Sequence, residues 1–336
     1  EAVKSFVKWM NRDYGFSSSS VFMNQASFSF DISMIDLFGA FDNGATVVLN
    51  DTQTTRTPLE FIKRTAHYKC SVWVSTPSFI YMYLTEPSFN KSTLPHLSAI
   101  FLLGENLPAR TVRKIYENFP ECKVYNAYGP TEATVATTMV EITRKYADKY
   151  AVSLPIGYSK YDGKILIRNA ENDPTKEGEL VIVGKHVSIG YLKNEKLSAE
   201  KFYLHEGERA YKTGDYGYYK DDMIFFNGRK DEQVKLNGFR IELGEITSKL
   251  LDISFIDDAV TIPLISGGQV KKIVSFIKTK ESVTKSHPEL IADIKAYLSK
   301  ALPVYMVPSD FRFIKEFPIN SSHKIDKLKL LELYMQ

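Results

Sequence analysis

The densest run of side chains able to act on a ligand is Asn126-Ala127-Tyr128-Gly129-Pro130-Thr131-Glu132. Gly129 and Pro130 dictate a turn. Thr131 offers a hydroxyl to a phosphate oxygen, Glu132 a carboxylate that can hold Mg²⁺ against that phosphate, and Tyr128 a ring that can stack on a base. By composition alone the same string is a Gly-Pro turn with a capping threonine. A second string, Tyr211-Lys212-Thr213-Gly214-Asp215, sets an acid after a glycine at the end of a strand, suited to accepting from both ribose hydroxyls. Its plainer reading is a turn aspartate. A third, residues 228–246, mixes glycine with charge between two regions of different texture. It is either a bendable, ligand-touching joint or a solvated linker face.

Rigid elements must hold these strings in place. Residues 21–49 alternate short apolar runs with turns, and a helical pattern over 58–68 precedes a strand at 71–74. A strand at 100–103, a helix after Pro108 carrying Val112, Ile115 and Phe119, and a strand at 123–128 repeat the alternation. This predicts an α/β fold, part of a doubly wound sheet, whose strand ends bind ligands. Shorter segments at 164–168 and 178–183 and a hairpin pattern around Asp221 and Asp222 predict an appended β subdomain. Past Gly228, a helix with Leu243, Ile246 and Leu250, a hairpin turning at 266–268 and a helix with Leu290, Ile294 and Leu298 predict a small α+β domain. The expected division is 1–228 and 229–336.

The 336 residues, 44% hydrophobic and 25% charged, suffice for two cores. Forty-three basic residues against 40 acidic, without a long single-sign block, do not suggest a nucleic-acid partner. Cys70 and Cys122 stand alone, outside any zinc or disulfide pattern, which fits a reducing cytoplasm. No apolar run nears the roughly 20 residues of a membrane helix. From Glu1 the chain enters a helical pattern with Val3, Phe6, Val7 and Met10 on one face, so it is expected to open inside a domain. There is no G-x-x-x-x-G-K-[ST] and no G-x-G-x-x-G, and the six histidines form no metal or triad pattern.

Taken together, the three strings resemble, in order and spacing, those of the adenylate-forming enzymes: amino-acid adenylation domains, acyl-CoA synthetases and luciferases. Within that superfamily the chain is similar to the D-alanine:D-alanyl carrier protein ligases through Asn24-Gln25-Ala26, Phe28-Ser29-Phe30-Asp31, Val74-Ser75-Thr76-Pro77-Ser78-Phe79, Gly104-Glu105-Asn106-Leu107-Pro108 and Tyr128 to Ala136. The resemblance covers essentially the whole chain. It implies that residues 1–228 are the carboxyl-terminal part of a large adenylation domain and that 229–336 are its mobile partner.

The resemblance also implies roles. Asn126, Tyr128, Thr131 and Glu132 would line the adenine and α-phosphate site of Mg-ATP, with Mg²⁺ at Glu132. Asp215 would hold the ribose, with Arg229 in the same region. Asp231 matches the hinge between adenylating and thioester-forming poses. Lys324, in Ser322-His323-Lys324-Ile325-Asp326-Lys327, matches the catalytic lysine of the family's Asn-Gly-Lys-Ile-Asp-Arg. The Asn-Gly is not kept, and His323 restricts the loop where glycine would not. Asp31 matches the acid that pairs with a substrate α-ammonium, although it could instead cap a helix through Met34 and Leu37. Leu103, just before Gly104, stands where these ligases usually carry a smaller cysteine, so the pocket wall differs.

The activity so implied is adenylation of D-alanine and its transfer to the phosphopantetheine thiol of a carrier protein, on the way to cell-wall teichoic acids. The family's phosphate loop has no counterpart in residues 1–336, so a chain of this extent is expected to adenylate weakly. Two alternatives stand beside this reading: an adenylation domain of a nonribosomal peptide synthetase, and a non-catalytic carrier-binding scaffold.

Overall fold

Runs such as Val72-Trp73-Val74 and Ile100-Phe101-Leu102 have no polar face, and such strands need cover on both sides. The structure is a computed structural model describing residues 1–151, 153–229, 233–267, 269–281, 283–319 and 325–335. It forms two compact units, residues 1–230 and 231–336. In the first, β1 (Val21–Met23), β2 (Thr46–Val48), β3 (Val72–Ser75), β4 (Ala99–Leu102) and β5 (Lys123–Tyr128) are parallel, in the order β2-β1-β3-β4-β5.

Successive residues of these strands go to opposite faces. Met23, Trp73, Ile100, Leu102 and Val124 pack with Phe61 and Ile62 of the helix Pro58–His67 and with Val112 and Ile115 of the helix Ala109–Asn118. Phe22, Val74, Phe101, Tyr125 and Ala127 pack with Phe6, Trp9 and Met10 of α1 (Ala2–Tyr14) and with Ile35 and Ala40 of α2 (Ser33–Phe41). Helices on both faces make the doubly wound α/β arrangement expected from the sequence. Val3 departs from the expected buried face of α1: it is 41% exposed, and Trp9 fills the core instead.

The segments expected as an appended β subdomain are joined to the same sheet. These are β6 (Thr138–Glu141), β7 (Pro155–Ser159), β8 (Gly163–Arg168), β9 (Glu177–Gly184), β10 (Phe202–His205), β11 (Glu208–Lys220) and β12 (Met223–Arg229). β7 pairs with β6 on one side and β12 on the other, so the order runs on from β5 as β6-β7-β12-β11-β9-β8, all antiparallel, with β10 on β11. Asp221 and Asp222 turn the β11–β12 hairpin with φ of 51° and 60°, the left-handed pair of a tight hairpin turn.

In the second unit β13 (Gln233–Leu236) and β14 (Phe239–Glu242) form a hairpin; β15 (Ile256–Ser266), β16 (Gln269–Thr279) and β17 (Asp310–Phe313) form a three-stranded sheet. Ala259, Ile273 and Ile277 face Leu243, Ile246 and Leu250 of the helix Leu243–Leu251 and Ile294 and Leu298 of the helix His287–Ala301. Val260, Ile262, Val274 and Phe276 on the other face meet Leu330 of the helix Lys327–Met335. Among the described residues no helix is long and apolar enough to cross a membrane.

A buried polar cluster ties α1 to the antiparallel half of the first unit. The Lys160 side chain is wholly buried, 2.8 Å from Asp162 Oδ1, and also donates to Ser5, whose hydroxyl donates to Asp162 Oδ2 at 2.7 Å. Desolvation works upward on the Asp162 carboxyl, but the bonds from Lys160 and Ser5 outweigh it and hold its pKa down. His186, after β9, is 0% exposed and lies against Gly163 and Gly184, where an added Cβ would come within 2.7 and 2.8 Å of the imidazole. Neither ring nitrogen has a hydrogen-bond partner among the described residues. Burial, reinforced by Lys160, pushes the His186 pKa down to about 3.

That depression fixes a sign. Folded His186 stays neutral to about pH 3, whereas an unfolded histidine binds a proton below about pH 6.5. The unfolded state therefore holds the extra proton between these values, and this group's contribution lowers stability as pH falls, by about 1.4 kcal/mol per unit. Urea unfolding between about pH 4.5 and 7 is expected to show a shallower acid slope in His186→Leu than in the parent. Equal slopes would mean that the imidazole is protonated in the folded protein.

Candidate active site

The carboxyl ends of β1, β3, β4 and β5 lie side by side, and each runs directly into one of the strings singled out from the sequence. Open α/β sheets bind ligands at such strand ends. Gln25, after β1, donates to Val74 O at 3.3 Å. Thr76, after β3, caps the helix Pro77–Tyr83 by accepting from Phe79 N at 3.3 Å. Leu103 N donates to Ser75 O at 3.2 Å, and Glu105 Oε2 accepts from Ser78 N at 2.9 Å, so the loops after β3 and β4 are bonded together. Leu103 is 3% exposed, in the cluster with Val74 and Phe101. Gly104 has φ of 88°, a conformation that favours glycine.

Asp31 does not cap α2. The N-cap is Ile32, which makes no side-chain cap bond. Asp31 Oδ2 is buried and lacks a hydrogen-bond partner among the described residues, the condition that an arriving ammonium would relieve. Asp36, which the sequence did not single out, is 1% exposed and accepts from Asn24 Nδ2 at 3.0 Å. Burial pushes its carboxyl well above the usual carboxylate range, and the bond from Asn24 ties the loop after β1 to α2.

Asp215 sits within β11, not at a strand end or in a turn. The register of β11 against β9 shifts between Lys212 and Tyr216, and Gly214 has φ of 74°, so Asp215 lies in a β-bulge, a device that re-aims a side chain. The bulge is pinned by Gly214 N donating to Glu179 Oε1 at 2.8 Å and Asp215 N to Thr213 Oγ1 at 2.9 Å. Asp215 is 3% exposed; Tyr128 donates its hydroxyl to Oδ2 at 2.6 Å and Arg229 pairs with Oδ1. Arg229 also donates to Thr213 O at 3.1 Å, so by its bonds it belongs to the first unit. Burial and the neighbouring carboxylate raise the Tyr128 pKa, which keeps that hydroxyl a donor. Each carboxylate oxygen retains a second lone pair, the acceptors a ribose diol would need. Asn126, 4% exposed, donates its amide to Pro155 O at 2.8 Å.

Thr131 to Ala133 form a short 3-10 turn whose N-cap is Pro130 without a side-chain bond, so Thr131 is not a cap; it is exposed. Glu132 accepts from the Tyr191 hydroxyl at 2.7 Å, and Ser188 N donates to Glu132 O at 2.8 Å. The turn ends on Thr134 and Val135, with φ of 58° and 66°, and Thr134 Oγ1 donates to His186 O at 2.8 Å. Among the described residues no three His, Cys, Asp or Glu side chains gather as a metal cage. Were a phosphate bound beside this turn, the Glu132 carboxylate would fit Mg²⁺, which keeps its waters and shares ligands with phosphate oxygens. Asp231 and Lys324 lie outside the described residues. Sequence reasoning missed Tyr191 and Asp36. Two-residue spacing along Tyr211, Thr213 and Asp215 was the one available signal that this strand carries several site groups.

The family described as AMP-binding enzyme matches residues 1–192. The D-alanine--D-alanyl carrier protein ligase of Bacillus cytotoxicus is 38% identical over 330 residues, 97% of this chain and 65% of that protein. The protein of the same name in Bacillus mycoides is 39% identical over the same shares. The chain thus spans about 65% of the length of these curated relatives. The crystal structure of the Vibrio cholerae adenylation domain AlmE in complex with glycyl-adenosine-5'-phosphate superposes with a TM-score of 0.85 at 25% identity, over 100% of this chain and 62% of that one. The amide bond synthetase McbA of Marinactinospora thermotolerans shares the fold, with a TM-score of 0.83 at 15% identity over 99% and 65%.

Gly129 gives the turn its sharpest test. A Cβ there would lie 2.6 Å from Ala136 Cα and 2.8 Å from Thr137 N, backbone atoms that cannot rotate away. Gly129→Ala is expected to cost about 1–3 kcal/mol of stability, as overpacking does, and to displace the Thr131–Glu132 turn. Chemical denaturation measures the first effect. Binding of AMP by calorimetry measures the second, and an unaltered affinity would separate the turn from the nucleotide.

Proposed function

The chain belongs to the AMP-binding enzyme family, and from that premise we propose that the whole protein adenylates D-alanine with Mg-ATP and passes it to the phosphopantetheine thiol of a carrier protein. The observation that carries the reading is the Tyr128 hydroxyl on Asp215, 2.6 Å apart across 87 residues of sequence, which joins the two strings assigned to the nucleotide. The relatives named for D-alanine, at 38% and 39% identity, support the substrate. Asp31, with a buried oxygen short of a donor, supports an amino acid over a plain acid. The reaction takes place where ATP and carriers are found, in the cytoplasm.

In the first step the amino-acid carboxylate attacks the α-phosphorus, forming a P–O bond as the bond to pyrophosphate breaks. Asp31 holds the α-ammonium, Leu103 and Gly104 wall the side chain, and Asp215, oriented by Arg229 and Tyr128, takes the ribose. Asn126 and Tyr128 flank the adenine, and Thr131 meets the phosphate. Mg²⁺ bound at Glu132 would neutralise phosphate charge. Lys324 stabilises the negative charge gathering between carboxylate and α-phosphate. In the second step, after the small domain swings about Asp231, the thiol gives up its proton and its sulfur attacks the mixed anhydride carbonyl, releasing AMP.

Pyrophosphate exchange by the full-length protein, with both enantiomers of alanine, glycine and serine, tests the substrate. D-alanine is expected to give the highest kcat/KM; Leu103 in place of the family's cysteine makes glycine and serine the necessary competitors. Exchange with none of the four would remove the enzymatic reading in favour of a scaffold. Asp31→Asn is expected to lower kcat/KM for the amino acid by at least about 100-fold, since breaking a buried charge pair costs about 3–5 kcal/mol. Lys324→Ala is expected to abolish adenylate formation while sparing thioester formation from supplied aminoacyl adenylate. Equal loss of both steps would contradict its assignment.

A further inference from the structure

The carboxylate of Glu132 is not left to solvent. Its Oε1 lies 2.7 Å from the hydroxyl of Tyr191, and that hydroxyl lies 3.2 Å from the hydroxyl of Tyr211 on β11. A phenol has one proton, and the one on Tyr191 goes to the carboxylate. Tyr211 must then donate to Tyr191, giving a directed relay Tyr211 → Tyr191 → Glu132 whose last bond, onto the carboxylate, is charge-assisted.

The surroundings hold the relay in one geometry. Tyr211 is 1% exposed. Phe202 sets its ring edge-on to Tyr191 at 5.3 Å and tilted against Tyr211 at 4.8 Å. Tyr191 N donates to Ser198 Oγ at 2.8 Å, at the helix Glu195–Lys201. The segment carrying Tyr191 is also bonded to the turn it serves, through Ser188 N to Glu132 O at 2.8 Å and Thr134 Oγ1 to His186 O at 2.8 Å. The middle of the turn, its carboxyl end and its one acidic side chain are thereby referred to a single strap, and the strap to the strand that bears Asp215.

We infer that Tyr191 is a positioning residue, acting through Glu132: its hydroxyl fixes the carboxylate in the rotamer that meets the metal-bound phosphate of the nucleotide. This rests on the proposed adenylation, in which Glu132 holds Mg²⁺. The group to be moved is an acidic side chain with several rotamers, and a hydroxyl held by a second tyrosine restricts it before the ligand arrives. Without that bond, binding of the metal-nucleotide must also order the carboxylate.

The test uses the full-length protein in pyrophosphate exchange. Tyr191→Phe keeps the ring on Phe202 and removes only the hydroxyl. It is expected to weaken Mg-ATP binding, read by calorimetry without the amino acid, and to raise the Mg²⁺ concentration for half-maximal rate, each by about 10-fold, the worth of a hydrogen bond to a charged group, with KM for the amino acid unchanged. In a Glu132→Gln background the same change is expected to have no further effect on Mg²⁺ dependence. Additive losses in the double variant would overturn the inference, because Tyr191 would then act elsewhere. If Glu132→Gln alone leaves Mg²⁺ dependence untouched, it is the placement of the metal that fails. Phe202→Leu loosens the packing but keeps the hydroxyl. If it reproduces the Mg²⁺ shift at a matched fall in Tm, the effect of Tyr191 is packing and the inference is lost.

Discussion

The buried carboxylate of Asp215 constrains everything around it. At 3% exposure an unpaired carboxylate would cost several kcal/mol, and it is held by one guanidinium and one phenol. Those partners come from different halves of one sheet. Tyr128 ends β5, the last of the parallel strands, while Arg229 ends β12 in the antiparallel half. Satisfying this acid therefore fixes how the two halves register across β6 and β7, and a slip of one residue on either side would leave a charge stranded.

Strand β11 extends the same logic. Asp215 reaches the start of the 128–132 string, and Tyr211 reaches its far end through Tyr191. Thr213, between them, donates to Leu180 O at 2.7 Å and accepts from Asp215 N, holding the bulge to β9. A loop carrying ligand groups is thus referenced at both ends to one strand, which is how a turn of five residues keeps its shape with only the start of a short 3-10 turn of its own.

Much of this was readable from the residues. The apolar strands at 72–75, 99–102 and 123–128 announced themselves by composition, and the Asp221-Asp222 hairpin by its turn residues. The strings at 126–132 and 211–215 stood out because glycine next to acid and hydroxyl is a costly mixture unless something uses it. Other features were hidden. The continuity of the sheet through β7 depends on pairings between residues far apart in sequence, which no local period encodes. Gly214 reads as a turn glycine and proved to be a bulge, since both need a positive φ. Tyr191 and Asp36 lie in stretches whose pattern is that of ordinary loop and helix, and only the burial of their partners reveals them. Asp31 shows the reverse: its cap-like position was plain in the sequence, and the helix begins without it.

Thr134 and Val135 both occupy the left-handed region, and for a β-branched valine that conformation is disfavoured, at about 1–3 kcal/mol per residue. Burial of Val135 at 3% exposure and the bond from Thr134 to His186 O oppose the strain. The chain's own packing and hydrogen bonding therefore hold the unfavourable conformation. A guest arriving at this turn finds it already bent, and none of its own affinity is diverted into bending it.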